Sequence, residues 1–381
     1  MSENFARRPT WVEINLNRLA DNFHSIKEFV GSGIEYMAVV KADAYGHGAV
    51  PCAQALEKAG IDWFGVALPE EGLELRKNGM KSRILCLGGF WEGQENFIIE
   101  NNLTPVIFQT EKARMFDRAS KKAGLTSRIH VKIDTGMGRI GVRWDQLGDF
   151  LRELKKLPHL EVEGIMTHFA SADDLDENEF TQGQIDKFHR AVEIFEDYGF
   201  FPKYKDLANS PGAVAHENSR SNLVRLGGIL YGLGGDVLPR GIVKPKLEPV
   251  MTLHSKIAFL KEVPEGETVG YGRTHKTERR SIIATVPIGY QDGFVRSLSN
   301  CGRVLVNNQF APIVGRISMD WTILDVTDIP RVKVNDEVVL IGQQNGLSIL
   351  AEDLARQIGT ISYEITCGIN RRVIRNYVES E

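Results

Sequence analysis

Residues 38–49 read Ala-Val-Val-Lys-Ala-Asp-Ala-Tyr-Gly-His-Gly-Ala. The apolar run that starts at Tyr36 predicts a short buried strand ending on Lys41, and the two glycines behind it predict a loop that opens into a helix at about Ala49. A lysine at the rim of a buried strand adjoins low-dielectric surroundings, which disfavour its charged form. Lys41 is therefore a candidate for an amine that forms a Schiff base, although a lone lysine at a strand end more often only reaches into solvent. Tyr45 and the run Gly46-His47-Gly48 behind it favour the first interpretation.

The residues that follow repeat one rhythm: a short apolar strand, a loop and an amphipathic segment. Strands alternating with helices in this way predict the α/β class and a (β/α)8 TIM-type barrel, with a doubly wound open sheet as the alternative. The predicted strands are Tyr36–Lys41, Trp63–Leu68, Ile84–Leu87, Thr104–Phe108, Ile129–Asp134, Val162–His168, Lys205–Asn209 and Val224–Gly228. The clearest predicted helices are Pro51–Ala59, Glu111–Ala123, Asp145–Lys155 and Glu179–Tyr198.

The pattern changes at the proline-bracketed stretch 244–249, after which long alternating stretches predict a mostly-β region. A single helix is predicted there, at Leu347–Gln357, with Ser348 as its cap. The sequence thus predicts a barrel domain at 1–243 and a β-rich domain at 244–381, and residues 1–14 could pair with the β domain. The predicted strands of this region are Pro249–Val263, Ser281–Ile288, Arg303–Val306, Ala311–Val314 and Trp321–Val326.

Composition narrows the class of protein. The chain has 381 residues, of which 42% are hydrophobic and 25% charged, as in ordinary soluble globular proteins. Its net charge of −4 gives no reason to expect nucleic acid or an anionic membrane surface as a partner. Its four cysteines are far apart in sequence, so neither a disulfide framework nor a metal site is expected. Because no signal core and no long apolar run occurs, we expect a cytoplasmic protein without membrane contact.

In a barrel of this type the catalytic groups lie where strands end at their carboxyl side. Polar residues of this chain fall at such places: Lys41 after the first strand, Arg139 after the fifth, His168 at the sixth, Ser210 after the seventh, and Arg225, Gly227 and Gly228 at the eighth. The loops after the last two strands are a recurrent phosphate site of barrels.

The seventh and eighth strand ends suit an anion. Ser210 precedes Pro211, which favours the first turn of a helix whose N–H groups attract phosphate. Gly227 and Gly228 let the backbone approach an anion closely. Alone, Ser210 would be a plain helix cap and the glycine pair a plain turn. Together with Lys41, they indicate a phosphate-bearing aldehyde cofactor.

The stretch around Lys41 resembles the pyridoxal-phosphate lysine motif of alanine racemases, and the resemblance extends to Ile361-Ser362-Tyr363-Glu364, nearly the whole chain. It implies an isomerase that interconverts L-alanine and D-alanine with pyridoxal 5'-phosphate and supplies D-alanine for peptidoglycan. It also implies that Lys41 binds the cofactor and that a set of residues surrounds the phosphate: Tyr45, Ser210, Gly227, Gly228 and Tyr363.

The same resemblance assigns Arg225 to the pyridine nitrogen of the cofactor. An arginine stays protonated and leaves that nitrogen an acceptor, which weakens the ring as an electron sink and should favour racemisation over transamination. His168 would link Arg225 to a catalytic tyrosine. The segment 132–139 resembles the one whose arginine, here Arg139, contacts the cofactor and orients the reacting groups. The lysine that matches Lys132 is carbamylated in some members, and the sequence leaves that modification open.

Racemisation needs a proton acceptor on each face of the reacting adduct. The segment Val269-Gly270-Tyr271-Gly272-Arg273-Thr274 resembles the one that bears the second base of alanine racemases. Lys41 and Tyr271 would thus be the two bases. Because a free tyrosine ionises only near pH 10, its surroundings must activate it, a role that the resemblance gives to His168 and Arg225.

Two more segments resemble parts of the substrate site. In Arg316-Ile317-Ser318-Met319-Asp320 the backbone N–H of Met319 would receive the substrate carboxylate, and Tyr290 would lie at the entrance. In the family Tyr271 and Met319 come from the partner subunit, which implies a homodimer with two shared active sites. Ser318, Leu226 and Trp321 depart from the cysteine, proline and glutamine expected, and bulky Trp321 could alter substrate entry.

Other functions share parts of this pattern. A racemase of broader range, acting for example on serine, would use the same two bases and differ in pocket volume. Basic amino-acid decarboxylases share the architecture, but they place a carboxylate at the pyridine nitrogen, where this chain would place Arg225. A non-catalytic pyridoxal-phosphate-binding protein would resemble the barrel alone and lack the domain that carries Tyr271. The sequence thus favours alanine racemase and leaves rates, dimer strength and a biosynthetic or catabolic role open.

Overall fold

The computed structural model describes residues 8–379, which form two compact units. The barrel unit comprises Leu19–Ala44 and Ala49–Leu247, and the β unit comprises Tyr45–Gly48 with the described parts of Met1–Arg18 and Glu248–Glu381. Among the described residues, no helix is long and apolar enough to span a membrane.

The strands are given in chain order. They are β1 (Thr10–Asn15), β2 (Glu35–Val39), β3 (Trp63–Val66), β4 (Arg83–Cys86), β5 (Thr104–Ile107), β6 (Ser127–Asp134), β7 (Val142–Arg143), β8 (Leu160–Met166), β9 (Tyr204–Asp206), β10 (Leu223–Leu226), β11 (Met251–Lys256), β12 (Phe259–Val263), β13 (Thr268–Val269), β14 (His275–Lys276), β15 (Ser281–Val286), β16 (Arg303–Val306), β17 (Gln309–Pro312), β18 (Thr322–Asp325), β19 (Glu337–Gln344), β20 (Leu347–Ile349) and β21 (Ile374–Val378).

The helices follow the same order. They are α1 (Leu16–Val30), α2 (Lys41–Tyr45, a single turn described below), α3 (Ala49–Lys58), α4 (Pro69–Lys77), α5 (Glu95–Glu100), α6 (Thr110–Ala123), α7 (Leu147–Leu154), α8 (Asn178–Asp197), α9 (Ser210–Ala215), α10 (Ala351–Ile358) and α11 (Ser362–Gly368).

Parallel strands close into a ring in the barrel unit. The ring runs β2-β3-β4-β5-β6-β8-β9-β10 and returns to β2, where Arg225 lies opposite Met37. Its interior is filled by buried side chains, which are Met37, Trp63, Leu85, Val106, Met166, Tyr204 and Leu223. Because first and last strands pair, the doubly wound open sheet is excluded and the predicted (β/α)8 barrel is confirmed.

The predicted barrel strands all exist, but most end earlier than predicted. β2 ends at Val39, so Lys41 begins a turn instead of ending the strand, and β8 ends at Met166, two positions before His168. The second, third, fourth, seventh and eighth predicted strands likewise ran past the last ladder position. Apolar residues continue into the loops, so hydrophobicity alone does not mark where pairing stops. Of the predicted site residues in the barrel unit, most consequently lie after the carboxyl ends of the strands, whereas Arg225 lies within β10.

Two β-sheets dominate the β unit, which confirms the strand-rich C-terminal region. The larger sheet has the order β17-β16-β19-β11-β1-β21 and the smaller β12-β15-β18. β1 pairs antiparallel with β11 and parallel with β21, so the described start of the chain is part of this unit. Residues 1–7 of the predicted N-terminal segment lie outside the described residues.

Two predictions for this region were wrong. The stretch 249–263 forms two strands, because Ile257 N bonds to Asp336 O and Ala258 N to Thr285 O, where the chain passes from one sheet to the other. The helix predicted at Leu347–Gln357 begins only at Ala351, and Ser348 lies in β20 instead of capping it. A second helix, α11, was missed because its seven residues are too few to show helical periodicity.

Candidate active site

The turn behind Lys41 has an unusual backbone. Four consecutive residues, Ala42 to Tyr45, have φ between 53° and 54°, the left-handed region that costs about 1–2 kcal/mol for each residue with a side chain. Ala44 N donates to Val40 O at 2.9 Å and closes the turn. This left-handed turn follows shortly after the end of β2, and such a conformation persists only when partners hold it.

The glycines behind this turn are required by close packing in the β unit. A Cβ on Gly46, at φ 84°, would collide with the carbonyl oxygen of Thr366. Arg375 Nε donates to Gly46 O at 2.9 Å, and the rings of Tyr45 and Tyr363 meet edge to face with centroids 5.0 Å apart. The structure thus brings together the two tyrosines that the resemblance assigns to the phosphate.

Arg225 lies buried in the barrel unit with its guanidinium fixed by several acceptors. Nη1 donates to the Asp206 carboxylate, while Nη2 donates to Thr167 O at 2.9 Å and Leu207 O at 3.2 Å. Nη2 also lies 3.2 Å from Nδ1 of His168. Within residues 8–379 the Nε–H makes no hydrogen bond. A buried, permanently charged group therefore keeps one donor for a ligand.

Burial and neighbouring cations keep His168 neutral. Desolvation first, then the positive charges of Arg225 and Lys132, hold the pKa of His168 well below its usual range. A neutral ring that accepts from Arg225 at Nδ1 carries its hydrogen on Nε2. His168 can consequently donate one hydrogen bond from Nε2.

Lys132 and Asp206 complete the buried cluster. Burial, followed by the charges of Arg225 and Arg139, lowers the pKa of Lys132 to about 7. Asp206 is fully buried, and that burial raises its pKa, whereas Arg225 opposes the rise. The sequence analysis missed Asp206. No distinct signal in the sequence pointed to it, because Asp206 follows Lys205 in the short strand β9 and only its burial shows that it requires a charged partner.

The two loops predicted to hold phosphate are linked by a hydrogen bond. Gly227 N donates to Ser210 Oγ at 2.9 Å, and Ser210 is almost fully buried. The cap of α9 is Asn209, whose side chain accepts from Gly212 N at 3.1 Å. Ser210 is therefore not a plain helix cap, and it joins the loops that follow β9 and β10.

Three segments of the β unit lie together. Tyr290 N donates to Ser318 O at 3.0 Å and Gln291 N to Met319 O at 3.1 Å. The turn at Tyr271 packs against the Arg316 backbone, because a Cβ on Gly270 would come within 3.2 Å of Arg316 N. Tyr271 is 73% exposed and Met319 51% exposed. The predicted substrate segments thus present their side chains to the surroundings of this unit.

Comparisons with known proteins agree with this architecture. The family model for the N-terminal domain of alanine racemase matches residues 14–234, and that for the C-terminal domain matches residues 250–377. Alanine racemase of Halothermothrix orenii is 44% identical over 371 residues and 97% of both chains. That of Geobacter sulfurreducens is 43% identical, again over 97% of both chains.

Solved structures give the same result. Alanine racemase of Clostridium difficile 630 superposes with a TM-score of 0.91 at 38% identity, covering 98% of this chain and 97% of that one. The enzyme of Bartonella henselae, solved with covalently bound pyridoxal phosphate, has a TM-score of 0.87 at 30% identity and covers 97% and 99%. The resemblance seen in the sequence is therefore confirmed. The alanine racemase family consists of isomerases that depend on pyridoxal phosphate. This chain belongs to the alanine racemase family.

Proposed function

We propose that the chain interconverts L-alanine and D-alanine by a two-base reaction on pyridoxal phosphate held through Lys41, and so supplies D-alanine for peptidoglycan. The observation that carries the proposal is the buried Arg225 guanidinium, fixed by Asp206 and main-chain carbonyls with its Nε–H left without a partner in the described chain. A racemase of broader range is not favoured, because the curated relatives are alanine racemases.

The residue types proposed for the site fit this cofactor. The pyridine nitrogen needs a donor, which Arg225 Nε–H supplies, and the aldehyde needs an amine, for which we propose Lys41. The phosphate needs a cradle, for which we propose the loops joined by Ser210 and Gly227, with Gly228, Tyr45 and Tyr363. When bound, pyridoxal phosphate supplies an aldehyde that links to amines and a ring that withdraws electrons from the substrate α carbon.

Arg225 sets the reaction type. Its guanidinium would donate to the ring nitrogen and keep its own proton, so that nitrogen would stay an acceptor. The ring would then withdraw fewer electrons, which would favour return of a proton to the α carbon over other positions. A carboxylate at this place would protonate the nitrogen and favour decarboxylation or transamination instead.

Proton transfer at the α carbon falls to two groups. Lys41 would hold the proton on one face and Tyr271 on the other. His168 Nε2–H would donate to the Tyr271 hydroxyl oxygen and stabilise its ionised form. Arg139 would orient the reacting groups, the Met319 N–H would bind the substrate carboxylate, and Tyr290 would line the entrance.

We further propose a homodimer in which Tyr271 and Met319 of the partner subunit complete each site. The support is their exposure in the β unit, 73% and 51%. The β unit of the partner would then supply the second base. A cytoplasmic location stays a prediction.

The first test follows the optical rotation of L-alanine with purified protein and pyridoxal phosphate. We expect rapid loss of optical rotation with the wild type and a rate about 10²–10⁴-fold lower for Tyr271→Phe. Tyr198→Phe is the control and should match the wild type, because the Tyr198 hydroxyl accepts only from Arg152 among the described residues. In heavy water, Tyr271→Phe should still exchange the α hydrogen of one enantiomer. If the variant lost α-hydrogen exchange equally for both enantiomers, the two-base reaction would be contradicted. An inactive wild type would contradict the proposal that the protein is a racemase.

Mixing two inactive variants tests the shared site. A dimer of one Lys41→Ala subunit and one Tyr271→Phe subunit has one site with both defects and one with neither. Because about half of randomly exchanged dimers are mixed, activity should recover to about one quarter of the wild type. No recovery after demonstrated subunit exchange would mean that each subunit supplies both bases to its own site.

A further inference from the structure

The carboxylate of Glu71 joins two loops at the carboxyl edge of the barrel. Oε1 accepts from Ala42 N at 2.7 Å. Oε2 accepts from Ala67 N at 2.7 Å and from Leu68 N at 3.1 Å. Glu71 itself lies in the first turn of α4, directly after β3. One side chain therefore holds the residue next to Lys41 and the start of the neighbouring β3–α4 loop.

Helix capping explains only part of this arrangement. As the third residue of α4, Glu71 accepts from the backbone N–H of the cap residue Leu68, which is one half of a capping box; the leucine side chain has no acceptor for the other half. The bonds to Ala67 and Ala42 lie outside the helix. Ala42 is 29 positions away in sequence and belongs to the next loop around the barrel.

The bond to Ala42 acts on the backbone of Lys41. The N–H of Ala42 and the C=O of Lys41 belong to one planar peptide unit, so fixing the N–H fixes the ψ angle of Lys41. Ala42 is also the first of the four left-handed residues, a conformation that persists only when its surroundings impose it. Asp43 Oδ1 accepts from Ala49 N at 2.8 Å and holds the far side of the turn. Hydrogen bonds to a carboxylate are roughly twice as strong as those between neutral groups.

We propose that Glu71 is a positioning residue for the Lys41 amine: its carboxylate ties the Lys41–Ala42 peptide to the β3–α4 loop and so fixes the direction in which the lysine leaves the strand end. This inference rests on the proposed function of Lys41. Without Glu71 the left-handed turn relaxes, and the amine samples orientations that are unproductive for proton transfer.

The test compares Glu71→Ala with Glu70→Ala. Both carboxylates lie in the first turn of α4, so both variants lose the same favourable charge at that helix end. Glu70 accepts from Gln94 Nε2 and makes no hydrogen bond to the Lys41 turn among the described residues. The first readout is amide hydrogen exchange at Ala42 in protein freed of cofactor. We expect exchange at least about tenfold faster in Glu71→Ala and unchanged exchange in Glu70→Ala.

The second readout is kinetic. With saturating pyridoxal phosphate, kcat of Glu71→Ala should fall by about 10- to 100-fold, with a smaller change in KM, because misplacement of a reacting group acts mainly on the chemical step. Glu71→Gln keeps one acceptor oxygen and should be intermediate in both readouts, which also provides a measurement if Glu71→Ala does not fold.

Two outcomes would overturn the inference. In the first, amide exchange at Ala42 and kcat in both Glu71 variants equal those of Glu70→Ala. In the second, kcat falls in proportion to thermal stability while exchange at Ala42 stays unchanged, which would mean that Glu71 has only a structural role. Failure of the proposed function can be distinguished from failure of this inference. In that case the wild type would not racemise alanine, while amide exchange at Ala42 would still respond to the Glu71 substitutions.

Discussion

Replacing Lys132 by methionine should change how the stability of the protein depends on pH. Lys132 lies in β6 at 4% exposure, among the positive charges of Arg225, Arg139 and Lys41. These surroundings lower its pKa from 10.5 to about 7. Since one pKa unit corresponds to 1.36 kcal/mol, the shift of roughly 3.5 units amounts to about 5 kcal/mol of differential stability.

The direction follows from the protons that each state binds. Between about pH 7 and pH 10.5 the unfolded chain carries a proton on Lys132 that the native chain has released. Raising the pH through this window therefore favours the native state. The gain in unfolding free energy that comes with release of this proton is complete above pH 10.5 and is lost as the pH falls to about 7. Methionine carries no charge at any pH, so the variant should gain most over the wild type at or below pH 7, with the gain shrinking towards pH 10.

Urea unfolding of cofactor-free protein at a series of pH values measures this difference. Lys156→Met is the control, because the Lys156 side chain is 67% exposed. Carbon dioxide should be excluded, since a neutral buried amine is the form that can be carbamylated. The reasoning would be refuted if the difference in unfolding free energy between wild type and Lys132→Met stayed the same at every pH.

Three further substitutions test the barrel and its cluster. A methyl group in Gly164→Ala would lie 2.5 Å from the ring of buried His130, so we expect a loss of about 1–3 kcal/mol in unfolding free energy, partly restored by adding His130→Ala. Asp206→Ala should cost about 3–5 kcal/mol in the same measurement, because it leaves the Arg225 charge buried without its carboxylate. Arg225→Lys should lower racemisation and raise transamination, measured as pyruvate formed per turnover. An unchanged ratio of the two products would contradict the role of the guanidinium.

The barrel could be predicted from the sequence because strands buried on both faces are continuous apolar runs, and these alternate with amphipathic helices. The ends of those strands could not. Lys41 follows an apolar run without a break and His168 follows one after a single threonine, yet ladder pairing stops before both of them. In the β unit, the passage of one alternating stretch between two sheets at Ile257 depends on partners far along the chain, which periodicity does not record.

The candidate site was predictable only where resemblance or strand position pointed to it. Asp206 and Glu71 were missed for a common reason: each acts by a side-chain contact whose partner is distant in sequence. Asp206 reaches Arg225, 19 positions on, and Glu71 reaches Ala42, 29 positions back. Charged residues on short strands and first helical turns are frequent in any barrel. Only the fold shows which of them face a site residue.

The cluster in the barrel unit distributes charge in a way that explains the choice of residue types. Four of its groups could be positive, Lys41, Lys132, Arg139 and Arg225, and one buried carboxylate, Asp206, faces them. Burial beside these cations lowers the pKa of Lys132 to about 7, so an amine at the position of Arg225 would lose its charge in the same surroundings. A guanidinium keeps its charge there. The role proposed for Arg225, a fixed cation that donates a hydrogen bond and keeps its proton, thus requires an arginine at this position of the barrel.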